Sequence, residues 1–395
     1  MKKFESVAAN EKNPKWQKMI ERENMLNKKS GDIRTEFERD YTRILYSTAY
    51  RRLKHKTQVY FSPVSDHICT RIEHVNYVES ISYTIANNLG LNTELTKAIS
   101  IAHDLGHSPF GHAGEKILNN IMQKEVGESF WHEKNGLNAV DNLNLLENHM
   151  GEKVNLNLTY AVRDGIISHC GEVNDKILKP RKEAIDLKMY TKPNEYMPYT
   201  WEGCVVKLSD RIAYMGRDIE DSISLKVLDK KQIEELKRVL NIGKNMNNSN
   251  IIGILINDVC ENSSIEEGLK FSYEKIKLLD KINEFYIKNV YNSEKLESTN
   301  RYFKLVLEEL FLTLYKTYDK ERTIEKLKEK ENIYPKLISS FIEWLKEYIK
   351  ENKEGKNRKL YSLKDKKDYA KAIIHYISGM TDKYAIEMYN EIISF

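Results

Sequence analysis

Fourteen consecutive residues, "AHDLGHSPFGHAGE" from Ala102 to Glu115, hold three histidines, an aspartate and a glutamate in a chain of 395 residues with ten histidines in all. Imidazoles and carboxylates bind divalent metals and move protons near neutral pH. His103 and His107 are four apart, so on a helix they share a face, and Asp104 can converge on the same point at a helix end. Pro109 disfavours helical geometry at Ser108, which ends that helix near His107. A second helix beginning around Gly111 puts His112 and Glu115 three apart on one face. The break redirects the second histidine–carboxylate pair, as expected of a metal site followed by an acid/base dyad. A His-Asp dipeptide alone fits a hydrogen-bonded core pair better, so the metal reading needs ligands from elsewhere.

Two other segments offer them. "TRIEH" supplies His74 with Arg71 one turn before it, and "KLSDRIAYMGRD" supplies Asp210. Tyr214 and Asp218 follow Asp210 at i+4 and i+8 on one stripe, with Arg211 and Arg217 beside it. Imidazole with carboxylate suits Mn, Fe, Co, Ni or Zn, and Mg less well. Four ligands from three helices leave positions open for water or a phosphate oxygen.

The elements that must position these groups read as helices. "VNYVESISYTIANNLG" places Val75, Val78, Ile81, Ile85 and Leu89 on one face and ends at Gly90, a C-cap. "TELTKAISIAHDLG" starts with Thr93 as N-cap, and "WEGCVVKLSDRIAYMGRDIEDSI" reads as a further long helix. Strand signals are sparse, "KTQVYF" being the best candidate. After residue 226 the chain is Lys/Glu-rich with repeated helical stripes such as "YFKLVLEELFLTLYKTY". The expected fold is mainly α. It comprises an N-terminal arm over 1–30, a catalytic core over 31–225 and a C-terminal helical region over 226–395.

Composition narrows the class. With 41% hydrophobic and 31% charged residues the chain reads as a soluble globular protein, and a net charge of +4 is too small to point to nucleic acid by itself. Cys69, Cys170, Cys204 and Cys260 lie far apart with no CxxC pair, which suits a reducing cytoplasm. "MKKFESVAANEKNPKWQ" has no apolar core for a signal peptide, and no apolar run reaches the roughly 18 residues of a membrane span. His55, His67, His149 and His375 lack companions at useful spacing and read as surface or hydrogen-bonded structural histidines.

The order H…HD…D resembles the HD-domain phosphohydrolases, and longer strings resemble one branch, the deoxynucleoside triphosphate triphosphohydrolases or dGTPase family. Those strings include "SGDIRTEFERDYTRILYSTAYRRLKHKTQV", "TRIEHV", "AHDLGHSPFGHAGE", "WHEKNG", "LNLTYAVRDGIISH" and "WEGCVVKLSDRIAYMGRDIED", together spanning roughly residues 30–225. The His-Asp dyad is generic; "RRLKHKTQV" with "HDLGHSPFGHAGE" is far more specific.

The resemblance implies an HD-domain core with a divalent metal (Mn, Mg, Fe or Co) on His74, His103, Asp104 and Asp210, and leaves room for a second ion with the substrate phosphates. It implies that His112 and Glu115 form the acid/base dyad, with His132 as a further active-site histidine and His107 lining the same pocket. Water would attack the α-phosphorus, releasing deoxynucleoside and tripolyphosphate. Arg71 and Arg211 match phosphate contacts, Gln58 and Asp218 the pair on the sugar 3′-hydroxyl, and Val59 and Tyr214 the wall that crowds the 2′ side. A homo-oligomer and a nucleotide activator are expectations from the same resemblance. His169 belongs to a matching string without an assigned role. Two other readings stay open at this point: an HD phosphohydrolase for a monophosphate or an alarmone, and a nucleotide-regulated protein that binds single-stranded nucleic acid.

Overall fold

The computed structural model describes residues 2–24, 31–61, 68–147, 151–170, 176–240, 248–291, 294–349 and 359–394. The side chains at 215–219, Asp218 among them, and the histidines His67 and His149 lie outside the described residues.

Helices dominate. After α1 (Trp16–Met19), α2 (Glu36–Tyr46) starts on a reciprocal cap in which the Thr35 hydroxyl accepts Glu38 N–H and Glu38 accepts Thr35 N–H, each at 3.1 Å. The short α3 (Thr48–Arg52) leads into a single 3-10 turn at Leu53–His55. In α4 (Arg71–Leu89) the expected face is the buried one, and Gly90 closes the helix at φ 89°, a conformation that favours glycine. The next helix, α5 (Thr93–Ala102), is capped one residue earlier than expected: Asn92 accepts Leu95 N–H at 3.0 Å. Ser82 and Ser100 share a hydrogen bond of 2.7 Å where α4 and α5 pack.

Beyond the His103–Gly106 turn come α6 (Gly111–Glu125), α7 (His132–Asn138), α8 (Tyr160–Ser168) and α9 (Trp201–Ser224), the long helix read from the sequence. Thr200 caps α9 by accepting Gly203 N–H at 3.0 Å. The C-terminal region supplies α10 (Lys230–Leu240), α11 (Asn248–Asn262), α12 (Tyr273–Tyr286), α13 (Glu294–Tyr315), α14 (Thr323–Lys330), α15 (Pro335–Ile349), α16 (Lys366–Ser378) and α17 (Asp382–Ile393). Among the described residues, the strand ladder is limited to β1 (Leu146–Glu147) against antiparallel β2 (Lys153–Val154). "KTQVYF" does not form the expected strand; it makes one isolated bridge, Thr57 to Thr70, and among the described residues no strand pairs with it.

Two apolar cores result. The first joins α2 to α5 with α8, α9, α11 and α12 and includes N-terminal Phe4, whose ring meets Trp201 edge-on at 4.9 Å. The second joins α6 to α13–α17. The segment between Leu105 and Phe110 thus carries the chain from one core to the other, with Leu105 buried in the first and Phe110 in the second. His375 is half-buried, with its Nδ1 2.7 Å from the Tyr361 hydroxyl. None of the described helices is long and apolar enough to cross a membrane.

Candidate active site

Arg71 and His74 lie on the first turn of α4, which opens where Thr70 N–H donates to Glu73 at 2.8 Å. The expected helix through His107 stops earlier: α5 ends at Ala102, His103–Gly106 tightens into a 3-10 turn, and His107 is extended. That turn still brings His103 and Asp104 to the N-terminal end of α4, and Asp210 faces both from the middle of α9. His74 Nε2 lies 2.9 Å from Asp210 Oδ1, and His103 Nε2 lies 3.8 Å from the same oxygen and 3.5 Å from Asp104 Oδ1. Arg71 donates to Asp104 Oδ2 at 2.7 Å.

These donors fit a divalent cation. The ligand atoms of His74, His103 and Asp210 lie within 4.8 Å of one another, as do those of His103, Asp104 and His169. His103 Nδ1–H donates to the Ser100 carbonyl at 2.6 Å, which fixes the tautomer and leaves buried Nε2 without a hydrogen-bond partner. A buried orphan acceptor is costly unless something fills it. Burial disfavours charge on both aspartates, yet His107, which also hydrogen-bonds it, the Arg71 guanidinium and neighbouring His103 hold Asp104 well below the usual carboxylate range. For Asp210 the same penalty is outweighed by the His74 hydrogen bond and the His103 charge, which take it down to about 2. Both carboxylates are therefore in the ligating state at neutral pH.

A second group sits beside the first. His107 Nε2 lies 3.0 Å from Asp104 Oδ1, and its ring stacks on His132 with centroids 3.8 Å apart and planes 17° from parallel. Burial, then the charges of Arg71 and His132, drive His107 well below its ordinary value, so it is neutral. His132 does the opposite: burial opposes its charge, but Glu133 and Glu115 raise it to about 10. Glu115 accepts His132 Nδ1–H at 2.8 Å. Phe110 takes a left-handed conformation, φ 64°, and α6 begins immediately after it. The Ser-Pro break thus redirects the chain as the sequence suggested, and the ligand atoms of His112, Glu115 and His132 come within 4.8 Å of one another.

Most of these groups meet at a cavity of about 460 Å³, with His103 and Glu115 set behind its wall. His74, Asp104, Asp210, His107, His112 and His132 line one part of it, with Arg71 between them. Gln58, Val59 and Tyr214 line the same cavity. Arg71 Nε and Nη2, His107 Nδ1 and Gln58 Oε1 are buried there without hydrogen-bond partners. Arg211 is buried outside the cavity wall, its Nη2 3.7 Å from Asp280. His169, unassigned from sequence, stands with its ring 4.9 Å from His103 and its Nδ1–H donating to Ile166 O at 2.7 Å. Burial, then the charge of His103, takes it down to about 3, so it is neutral.

Sequence reasoning missed three lining residues. Asn283 and Ile287 come from the end of α12 and the turn after it, and Cys170 from the end of α8. A polar residue on an amphipathic helix gives no sign that it faces a cavity, so only the fold finds them.

Helical fold, His/Asp cluster and cavity define an HD-domain phosphohydrolase, and the HD-domain family profile matches residues 71–215. A second profile, the phosphohydrolase-associated domain, matches residues 323–391. The chain is 34% identical over 361 residues to a deoxyguanosinetriphosphate triphosphohydrolase-like protein of Caldanaerobacter subterraneus subsp. tengcongensis, covering 91% of this chain and 86% of that one. A protein of the same description from Rickettsia felis is 33% identical over 91% of this chain and 92% of its own. Another, from Desulfatibacillum aliphaticivorans, is 36% identical over 71% and 73%. The chain belongs to the family of deoxyguanosinetriphosphate triphosphohydrolase-like proteins.

Proposed function

We propose that this protein hydrolyses deoxynucleoside triphosphates to deoxynucleoside and tripolyphosphate by water attack at the α-phosphorus. The observation that carries the reading is the cavity itself. It sets a His/Asp metal-type donor cluster beside buried, unpartnered guanidinium and imidazole nitrogens, with Gln58, Val59 and Tyr214 also on its wall.

His74, His103, Asp104 and Asp210 would hold a divalent cation, which when bound lowers the pKa of a coordinated water and draws charge from phosphoryl oxygens. Arg71 offers Nε and Nη2 to phosphate oxygens while Nη1 stays on Asp104, a fork suited to bidentate binding. Protonated His132 adds a second positive charge, and neutral His107 stacked on it keeps water out of that wall. His112 is the general acid that delivers a proton to the leaving 5′-oxygen, and Glu115 orients the histidine pair. Gln58 and Asp218 take the 3′-hydroxyl, and Val59 and Tyr214 exclude a 2′-hydroxyl, while Arg211, outside the cavity wall, has no direct contact with the phosphates in this binding mode. The enzyme acts as a cytoplasmic homo-oligomer, which sedimentation tests; its four cysteines are buried free thiols, in keeping with a reducing compartment.

The decisive assay incubates each dNTP with Mn²⁺ or Mg²⁺ and follows phosphorus products by ³¹P NMR. Tripolyphosphate with deoxynucleoside supports the reading. Orthophosphate alone, or pyrophosphate with a monophosphate, removes it. A substrate panel including monophosphates and an alarmone separates the other HD chemistries.

A further inference from the structure

The stretch that joins the two cores needs an external hold. Phe110 sits in the left-handed region, which costs an L side chain steric energy. Its ring is fixed by stacking on Phe303, with centroids 4.2 Å apart and planes 4° from parallel. Its backbone is fixed separately: Phe110 N–H donates to Asp382 Oδ1 at 2.9 Å. The other oxygen of that carboxylate accepts Thr57 N–H at 2.8 Å. Thr57 precedes Gln58 and Val59 on the cavity wall, so one buried carboxylate ties two walls together.

The neighbouring groups repeat the pattern. Lys56, only 3% exposed, donates through Nζ to the Ser378 carbonyl at 2.9 Å and to the His107 carbonyl. Asn135 donates to Gly106 O at 2.7 Å and to Ser378 Oγ at 3.2 Å. The corner between α16 and α17 is therefore linked to the bend through Asn135 at Gly106 and Lys56 at His107, and directly by Asp382 at Phe110. Neither Ser378 nor Asp382 lines the 460 Å³ cavity.

We propose that Asp382 is a positioning residue of the active site: by accepting the amides of Phe110 and Thr57 it holds the left-handed bend that brings His107 and His112 to the cavity, and ties that bend to the segment carrying Gln58 and Val59. This gives the segment matched by the phosphohydrolase-associated domain a task in the site. The inference takes its reaction from the function proposed above, but its geometry is independent of which nucleotide is cleaved.

The test compares Asp382→Asn with Thr381→Ala in the full chain. Asparagine keeps the shape but presents an NH₂ group to one of the two amides, so one link is lost. Thr381→Ala weakens the same helix start, where Thr381 caps Tyr384 N–H at 3.2 Å, without touching the bend. In Asp382→Asn, kcat for dNTP hydrolysis falls about 10- to 100-fold while KM stays within about threefold, as for a small displacement of catalytic groups. Bound metal is unchanged, and hydrogen–deuterium exchange rises at the Phe110 and Thr57 amides but not in α13 or α15. Thr381→Ala keeps kcat within about twofold and the exchange at 103–116 as in the wild type. Unchanged exchange at those amides in Asp382→Asn overturns the proposal, and so does an equal loss of kcat in Thr381→Ala. Exchange needs no turnover, so it decides the inference even where the dNTP assay fails.

Discussion

Glu115 and His132, seventeen residues apart in the chain, form a part-buried ion pair in which Nδ1–H of the histidine meets Oε2 at 2.8 Å. The pair keeps His132 as an imidazolium next to the neutral, stacked His107. Two imidazoles face to face can hold different charges only because their carboxylates are placed differently. His107 has Asp104, which Arg71 also claims; His132 has Glu115 and Glu133.

Glu115→Gln tests that division. Burial alone disfavours charge on His132, and the two glutamates lift it to about 10; removing one brings it down. A histidine raised above its unfolded value contributes stability that is complete below about pH 6.5 and is lost as pH rises through the folded value. The variant therefore loses more Tm relative to wild type at pH 7 than at about pH 10.5. The kcat should fall about 10²- to 10⁴-fold at neutral pH, the range for removing a positioned acid/base partner. An equal Tm loss at both pH values would show that the pair carries no charge-dependent stability.

Metal content separates the two halves of the site. His103→Ala and Asp210→Ala each remove a donor from the cluster within 4.8 Å, so bound metal measured by elemental analysis falls with activity, and chelation of the wild type reproduces the loss. His112→Ala keeps the metal and loses about 10²-fold or more in kcat. Metal loss in His112→Ala would move that residue into the ligand set.

The Ser-Pro break was legible from Pro109 and the glycines, and so were the buried face of α4 and the extent of α9, because each rests on local geometry or helical period. The Glu115–His132 pair was not legible, since nothing in the spacing of "GHAGE" and "FWHEKNG" says that α6 and α7 meet. Asn92 and Thr93 both make good caps, and one side chain's reach decided between them. "KTQVYF" alternates like a strand, but a strand needs a partner, and Thr70 offers a single bridge before α4 begins. Asp382 looks like any acidic residue at a helix start; only the packing of the second core against the bend gives it Phe110 and Thr57 as partners.

Gly106 tests how tightly the turn is packed. A Cβ there would lie 2.0 Å from His132 O and 2.2 Å from Gly136 N, both backbone atoms of α7 that cannot move independently. Gly106→Ala forces α7 away from the turn and carries His132 with it. We expect a loss of at least about 1–3 kcal/mol in denaturant unfolding, together with a fall in kcat larger than the folded fraction accounts for. A variant with wild-type unfolding and kcat would mean that the approach of α7 to the turn is looser than these distances state.

Val59 bears on sugar selection. It lines the cavity together with Gln58 and Tyr214, and in the proposed binding mode its side chain occupies the space that a 2′-hydroxyl needs. Val59→Ala vacates that space and leaves the metal donors and Arg71 untouched. Discrimination by filling space is limited to about 10²-fold where no buried polar group is left unpaired. The expected result is a rise in kcat/KM for ribonucleoside triphosphates of about tenfold with that for deoxynucleoside triphosphates within about threefold, and metal content unchanged. Competition assays with matched dNTP and rNTP pairs measure the ratio directly. A ratio that does not move places the sugar away from Val59, and the same pairs tested on Tyr214→Phe and Gln58→Ala then locate it within the cavity.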